Sequence, residues 1–276
     1  QAVVCDRRGG ELLATSTKTN FLTFIGSGPV GWYLNSKVSP GTRVALEHGG
    51  VAPVIVEPDA DIADMIPALA KGGFYHAGQV CVSVQRIYVH ESIFDEVANK
   101  LANVASKLVV GDQLDPKTEV GPLINNDEVN RVEEWVNDAV AKGAKILTGG
   151  KRIGASCFEP TVILNPSEDA IISQKEIFGP VVCIYSYKTL DEAIARANSL
   201  EVSFQAAVFT KNIDTALKAV KRLNATAVMV NDHTAFRVDW MPFGGARISG
   251  LGMGGIPYSM EEMSNEKMMV IKSPVL

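Results

Sequence analysis

The chain has 276 residues, of which 46% are hydrophobic and 21% charged, and its net charge is −5. This is the composition of an ordinary globular protein, and the scattered basic residues argue against nucleic acid or an anionic membrane as a main partner. No apolar run reaches the roughly 18 residues that span a bilayer, and the start lacks a signal-peptide pattern. Because its four cysteines and four histidines are dispersed, we expect a cytoplasmic protein without a metal site.

The first residues, QAVVCDRRGGELLATS, contain no Met and no evident helix-capping signal. They resemble the interior of a protein, so we expect further residues before Gln1.

Short apolar runs alternate with amphipathic helical patterns in chain order. The predicted strands are 21–25, 43–46, 54–56, 86–89, 181–187, 206–209 and 227–230. The predicted helices are 93–108, 127–142, 190–199 and 214–223, the third with Thr189 as its N-cap. This alternation predicts an α/β fold with a largely parallel sheet. Loops are expected at 111–125 and 149–160, and residues 267–273 predict a late, exposed strand that could pair with another chain.

The stretch FLTFIGSGPVGWYL contains a G-x-G-x-x-G pattern at the junction of a predicted strand and a helix. Free N–H groups and the helix dipole at such a junction attract phosphate. A tight strand–helix turn can also require glycine for steric reasons alone. Glu47 ends the following apolar run, where the dinucleotide-binding fingerprint would place it on a ribose. From the residues alone, both interpretations of the glycines stay open.

Cys81 lies in the segment HAGQVCVS. A free cysteine is more often a small buried packing residue than a nucleophile, and a nucleophile needs a polarising neighbourhood. Gly78 permits close backbone approach, and the N–H of Cys81 could face a developing oxyanion. His76 has no evident carboxylate partner, so we expect a structural or surface role for it. Packing roles are predicted for the other cysteines, Cys5, Cys157 and Cys183.

Five strings taken together, FIGSGPVG, LEHGG, GQVCVSVQR, EIFGPVV and MPFGGARISGLG, make the chain closely similar to the aldehyde dehydrogenase superfamily. The resemblance runs from near residue 10 to 276. It implies an aldehyde dehydrogenase-like α/β fold with part of a Rossmann-type cofactor domain over 1–50. A parallel-sheet catalytic domain would follow over 51–255, and a return segment with an oligomerisation strand over 256–276.

The resemblance implies that Cys81 attacks an aldehyde to form a thiohemiacetal and then a thioester, and that Glu47 activates the water that hydrolyses it. The resemblance therefore assigns Glu47 the role of general base instead of ribose ligand. Glu176 is expected to bind the nicotinamide ribose of NAD or NADP, and Phe178 to pack near the nicotinamide ring. The residues expected at the cofactor diphosphate are Gly26, Ser27, Gly28 and Gly31.

The substrate implied by the resemblance is a small semialdehyde or hydroxyaldehyde. Arg237 could bind an anionic tail, or it could pair with Asp239. Phe243 could border the substrate cleft, or it could be simple packing. A homodimer or homotetramer is expected.

Two other functions stay open. One is a CoA-acylating dehydrogenase, against which Glu47 argues because such relatives tend to lack this base. The other is an inactive, truncated remnant that serves as an interaction module. Family members carry an oxyanion-binding asparagine and a ribose-reading lysine in a part that would precede Gln1, so we expect little activity from the 276-residue chain alone.

Overall fold

A computed structural model describes residues 1–275. The strands are β1 Phe21–Ile25, β2 Arg43–Glu47, β3 Pro53–Val56, β4 Arg86–His90, β5 Lys145–Thr148, β6 Arg152–Ile153, β7 Cys157–Phe158, β8 Thr161–Leu164, β9 Val181–Tyr187, β10 Val202–Ser203, β11 Gln205–Phe209, β12 Ala227–Val230, β13 Ala246–Arg247 and β14 Gly250–Leu251. The α-helices are α1 Arg7–Ala14, α2 Gly28–Asn35, α3 Ile62–Phe74, α4 Phe94–Ala105, α5 Asn126–Ala141, α6 Ile171–Gln174, α7 Leu190–Ala197, α8 Ile213–Arg222 and α9 Ile256–Glu262. The fold class is α/β, as predicted.

A seven-stranded sheet forms the main body, with the order β12-β11-β3-β4-β9-β8-β5. Its strands are parallel except β5, which runs antiparallel to β8. The central strands are mostly apolar, and helices α3, α4 and α7 pack against them, which is typical of buried parallel strands. Val54, Ile55 and Val56 of β3 have no exposed surface. The largely parallel sheet predicted from the alternation is therefore confirmed.

A second sheet of three strands has the order β1-β2-β14. Strands β1 and β2 are parallel, with Ile25 beside Glu47. Strand β14 returns from late in the sequence and lies antiparallel to β2, with Gly250 opposite Glu47. The end of β2 is therefore held on both sides. The division into domains at residues 50 and 255 stays a prediction.

The four predicted helices are present with ends shifted by up to three residues, and the Thr189 hydroxyl accepts a hydrogen bond from the N–H of Glu192. The statement that the start lacks a capping signal is wrong, because the Asp6 side chain caps α1. The loop predicted at 149–160 is also wrong in part. It contains the β6–β7 hairpin, whose turn includes Gly154 at a φ of 59°.

Residues 264–273 form neither helix nor strand in the described chain. An isolated segment has no neighbouring backbone to satisfy a strand's N–H and C=O groups. The strand predicted at 267–273 is therefore not present within this single chain, and its pairing with a second copy stays a prediction. No helix within residues 1–275 has both the length and the apolar character needed to cross a membrane.

Candidate active site

Three segments of the sequence meet between the two sheets. Glu47 ends β2, and its chain continues directly into β3. The segment of Cys81 leads into β4, and the segment of Glu176 leads into β9. Because β3, β4 and β9 are neighbours in the large sheet, the three segments lie side by side at one edge of it. They border a pocket of about 350 Å³.

The thiol of Cys81 faces the carboxylate of Glu47, with Sγ 4.0 Å from Oε1. The N–H of Gly50 donates to the carbonyl oxygen of Cys81 at 3.3 Å, which joins the two segments through their backbones. Both side chains are half-buried. The structure thus brings together the two residues that the resemblance paired as nucleophile and base.

Electrostatics keep the proton on the sulfur in the resting site. Burial raises the pKa of Cys81 to about 12, and the carboxylates of Glu47 and Glu176 add to the rise, whereas Arg237 opposes it. Burial also raises the pKa of Glu47, again opposed by the charge of Arg237. A thiol is therefore held beside a carboxylate that can accept its proton.

The backbone around Cys81 is tightly constrained. His76, Ala77 and Gly78 all have positive φ angles, between 49° and 69°, and a Cβ on Gly78 would overlap the carbonyl of Gly179. Gly78 therefore provides the close approach expected of it. The side chain of His76 is exposed, with its ring beside that of Tyr75.

The segment after Cys81 is held by a hydrogen bond from another part of the chain. The buried hydroxyl of Thr234 donates to the carbonyl oxygen of Val82 at 2.7 Å.

Of the other cysteines, Cys183 is buried and Cys157 half-buried, but Cys5 is exposed. The predicted packing role is wrong for Cys5, which precedes α1 at the surface.

Glu176 is mostly buried in the pocket, and its Oε1 has no hydrogen-bond partner among the described residues. Burial raises the pKa of Glu176 to about 8, opposed by Arg131 and by the N–H of Gly50. A Cβ on Gly49 would overlap the Glu176 carboxylate, so this arrangement requires glycine at position 49. Phe178 borders the same pocket, is 40% exposed, and has the positive φ angle of 48° that is uncommon for a large side chain.

The glycine turn lies beside Glu47, since the N–H of Gly26 donates to the carbonyl oxygen of Glu47 at 3.1 Å. Gly26 and Ser27 border the pocket, and Ser27 is the N-cap residue of α2. Gly31 instead packs against buried His48, where a Cβ would overlap the imidazole, whereas a Cβ on Gly28 would make only an ordinary contact with the same ring. The steric interpretation left open by the sequence describes the position of Gly31.

Arg237 and Phe243 border a smaller cavity of about 180 Å³ on the other side of Glu47. The guanidinium of Arg237 lies 3.9 Å from the centre of the Phe243 ring rather than in an ion pair with Asp239 within the described chain. Phe243 is buried in a small apolar cluster against which Cys81 packs. The structure therefore places both residues next to Cys81 and Glu47 but outside the main pocket.

Sequence reasoning missed one wall of the main pocket, which α5 supplies. Glu128, Arg131 and Trp135 line it. Arg131 Nη2 lies 2.7 Å from the Glu128 carboxylate, and the guanidinium lies 4.5 Å from the centre of the Trp135 ring. Their spacing of three and four residues puts them on one face of the helix, and this stripe was the available signal.

Within the described residues, no group of three or more His, Cys, Asp or Glu side chains could hold a metal ion.

Comparison with known proteins gives one family for nearly the whole chain. The aldehyde dehydrogenase family model matches residues 2–269. The chain is 42% identical over 262 residues to 3-sulfolactaldehyde dehydrogenase of Priestia aryabhattai, covering 95% of this chain and 54% of that protein. It is 44% identical over 262 residues to lactaldehyde dehydrogenase of Methanocaldococcus jannaschii, covering 95% and 56%.

Among solved structures, glyceraldehyde-3-phosphate dehydrogenase GapN from Methanocaldococcus jannaschii, complexed with NADP, superposes with a TM-score of 0.89 at 43% identity. That match covers 93% of this chain and 55% of the other. The chain therefore spans about half the length of the relatives it matches.

Proposed function

The chain belongs to the aldehyde dehydrogenase family, and from that premise we propose that the protein containing it oxidises a small aldehyde to a carboxylic acid with NAD or NADP. One observation carries the proposal: Cys81 Sγ lies 4.0 Å from Glu47 Oε1, at the pocket that also contains Glu176. A nucleophile, a base and an unpaired buried carboxylate meet in one place.

Cys81 supplies the nucleophile. Its sulfur bonds to the aldehyde carbon as the S–H proton leaves, and Glu47 is the acceptor within reach. The product is a thiohemiacetal, whose oxygen takes this proton over from Glu47 and releases it to solvent when the carbon loses its hydride. Glu47 is then a carboxylate again. In this scheme the N–H of Cys81 would donate a hydrogen bond to the developing oxyanion.

Glu47 completes the cycle. After the carbon has lost a hydride, it is bound to Cys81 as a thioester. Glu47 removes a proton from a water molecule, whose oxygen attacks the thioester carbon and releases the acid and the thiol. The raised pKa of Glu47 makes it a stronger base than an exposed carboxylate.

The pocket residues fit a nicotinamide cofactor. Glu176 has a buried carboxylate oxygen without a donor, and the paired hydroxyls of a ribose would supply donors to it. The part-exposed ring of Phe178 would pack beside the nicotinamide, and Gly26 and Ser27 would meet the diphosphate, with Gly28 and Gly31 shaping the turn behind them. When bound, the nicotinamide would accept the hydride from the thiohemiacetal carbon.

The proposed substrate is a small hydroxyaldehyde or semialdehyde. The relatives are named for 3-sulfolactaldehyde, lactaldehyde and glyceraldehyde 3-phosphate, two of which carry an anionic tail. Arg237 lies close enough to lower the pKa of both Cys81 and Glu47, so its charge is available to such a tail. Phe243 would form the apolar border of the same cleft. We also propose a cytoplasmic homodimer or homotetramer, with residues 267–273 as the pairing strand.

The test compares this chain with a protein extended to the length of its relatives. The extended protein is expected to form NADH or NADPH with lactaldehyde, sulfolactaldehyde or glyceraldehyde 3-phosphate, and to favour at least one of them over propanal. The Cys81→Ala variant should have no activity, whereas Cys157→Ala, a control at a half-buried cysteine that does not line the pocket, should keep it. No NADH or NADPH formation from any aldehyde would refute the proposal. Release of product only when CoA is added would identify a CoA-acylating enzyme instead.

The 276-residue chain alone is proposed to form little NADH or NADPH. It should nevertheless be acetylated on Cys81 by p-nitrophenyl acetate, because this reaction needs only the thiol and its surroundings. Mass spectrometry of the modified peptide checks this, and acetylation of Cys5 or Cys157 instead would count against Cys81 as the reactive thiol.

A further inference from the structure

Gln85 lies in the segment that leads from Cys81 into β4, and its side chain is buried, with 4% exposed. Its Nε2 donates to the carbonyl oxygens of Lys175 at 2.7 Å and Ile172 at 3.2 Å. Its Oε1 accepts a hydrogen bond from the N–H of Ile177 at 2.9 Å. The amide of one side chain therefore forms three hydrogen bonds with a single neighbouring segment.

Two of these bonds flank one residue. The carbonyl of Lys175 and the N–H of Ile177 belong to the two peptide groups on either side of Glu176. The amide of Gln85 thus binds that backbone as a neighbouring strand would, at the point just before the β4–β9 ladder begins. The N–H of Cys183 donates to the Gln85 carbonyl oxygen at 2.8 Å and continues the same connection.

A buried amide requires partners in any fold, so satisfied hydrogen bonds alone do not indicate a functional role. Here the residue between the two bonds is itself held in an unfavourable place. The Glu176 carboxyl is buried, one of its oxygens lacks a partner among the described residues, and it occupies the space that a Cβ at Gly49 would need. Burying a carboxyl without full hydrogen bonding is unfavourable, and the attraction of Arg131 and of the Gly50 N–H does not offset the burial. The backbone of its segment must therefore hold the carboxyl in place.

We propose that Gln85 is a positioning residue that holds Glu176 in the cofactor pocket and fixes its segment to that of Cys81. Only three residues, 82–84, lie between Cys81 and Gln85, so the same hydrogen bonds also set the spacing between the two segments. The consequence for nucleotide binding rests on the proposed function, whereas the clamp on Glu176 does not.

The test uses Gln85→Met, which has a similar length and removes all three hydrogen bonds without burying a charge. Gln85→Glu is the second variant, since it keeps the acceptor for Ile177 but replaces the donor. The control is Asn198→Leu. Asn198 forms a similar amide clamp, donating to Arg222 O and accepting from Asn224 N, both at 2.8 Å, and it lines neither the pocket of Glu176 nor the cavity of Arg237.

Carbon NMR of the Glu176 carboxyl, in the 276-residue chain, is the first measurement. The pKa should be about 8 without substitution and should fall toward the ordinary value of 4.5 in Gln85→Met, because the carboxyl gains access to water. The exchange rate of the Ile177 amide hydrogen should rise roughly tenfold. Asn198→Leu should change neither, and the Gln85 side-chain amide protons of the unsubstituted chain should be protected from exchange.

Nucleotide binding by the extended protein is the second measurement. The Kd for NADPH or NADH should rise roughly tenfold in either Gln85 variant, while acetylation of Cys81 stays within about twofold. An unchanged Glu176 titration, rapid exchange of the Gln85 amide protons, or an equal loss of acetylation and nucleotide binding would each overturn the inference. If the unsubstituted protein binds no nucleotide, the proposed function fails, and the Glu176 titration still decides whether Gln85 holds this carboxyl.

Discussion

The two sheets differ in how deeply they are buried. Each of Val54, Ile55 and Val56 in β3 has no exposed surface, whereas no residue of β1 is fully buried and Ile25 is 73% exposed. Parallel strands are normally covered on both faces. The large sheet meets this rule and the small sheet does not. The two halves of the candidate site therefore lie on sheets that differ in how well they are packed.

The reactive residues divide along this line. Cys81 and Glu176 belong to segments that lead into β4 and β9, at the centre of the large sheet, whereas Glu47 ends β2 of the small one. Free energies of local opening depend on buried apolar contacts. The position of Cys81, the proposed nucleophile, is therefore set by the main core, whereas that of Glu47, the proposed base, depends on a lightly packed sheet and a few backbone hydrogen bonds.

The largest expected effect is on turnover when Glu47, at the end of β2 in the small sheet, is replaced. Glu47→Gln should reduce turnover of p-nitrophenyl acetate roughly 10²–10⁴-fold, because water loses its base. Acetylation of Cys81 should persist, because solvent can take the thiol proton in place of Glu47, and removing a negative charge removes one cause of the raised pKa of that thiol. Rapid-mixing measurements should show one burst of nitrophenolate followed by a slow phase. Loss of the burst together with the slow phase would mean that Cys81 cannot react without Glu47.

The next effect concerns stability in each sheet. Ile55→Ala should lower the free energy of unfolding by about 2–5 kcal/mol, because it leaves a cavity in a fully buried strand. Ile25→Ala, the same change at an exposed position of β1, should alter it by no more than about 0.5 kcal/mol. Urea denaturation followed by circular dichroism measures both. Similar losses in the two variants would show that the small sheet is as well packed as the large one.

A smaller effect tests packing within the region of the small sheet. Gly31→Ala should destabilise the fold by about 1–3 kcal/mol, because the new methyl group overlaps buried His48. Gly10→Ala in α1 is the matched control, since nothing lies within 4 Å of its Cβ position, and it should stabilise by up to about 1 kcal/mol through helix propensity. Thermal unfolding measures both variants. Equal effects of the two substitutions would mean that His48 does not lie against position 31.

The sequence predicted most of the strands of the large sheet, because buried parallel strands are continuous apolar runs. It failed where tertiary contacts override local signals. Helix α3 contains Pro67 and two glycines, which disfavour a helix, yet Met65 and Leu69 are fully buried and stabilise it. Strands β5 and β8 were missed because they are short and pair with each other across a loop.

The site was predictable only in part. Spacing alone could not bring Glu47 and Cys81 together, because their proximity depends on β3 and β4 being neighbours, and the resemblance supplied that information. Arg131 and Trp135 were missed because amphipathic periodicity shows which residues of a helix face the core, but not which of its other residues border a pocket. The role of Gln85 has no local signature, since its partners lie about 90 positions away.

The smallest effect concerns Arg237, which belongs to neither sheet and lies in the segment between β12 and β13. Its charge lowers the pKa of Glu47, against the rise caused by burial. Hydrolysis of the acetylated enzyme needs the carboxylate form, so its rate is lost as the pH falls through that pKa. Arg237→Ala should raise the pKa further and move this acid limb to higher pH, with rates on the acid side lower by about twofold to fivefold.

Arg237→Lys keeps the positive charge and should leave the limb close to its original place. The neutral ester p-nitrophenyl acetate is the proper substrate here, because it has no anionic tail that Arg237 could bind, and only the effect on Glu47 remains. If the acid limb of the pH profile moves equally in both variants, altered packing against Phe243 is the cause. A limb that moves only in Arg237→Ala would show that the lightly packed half of the site is tuned by a charge outside both sheets.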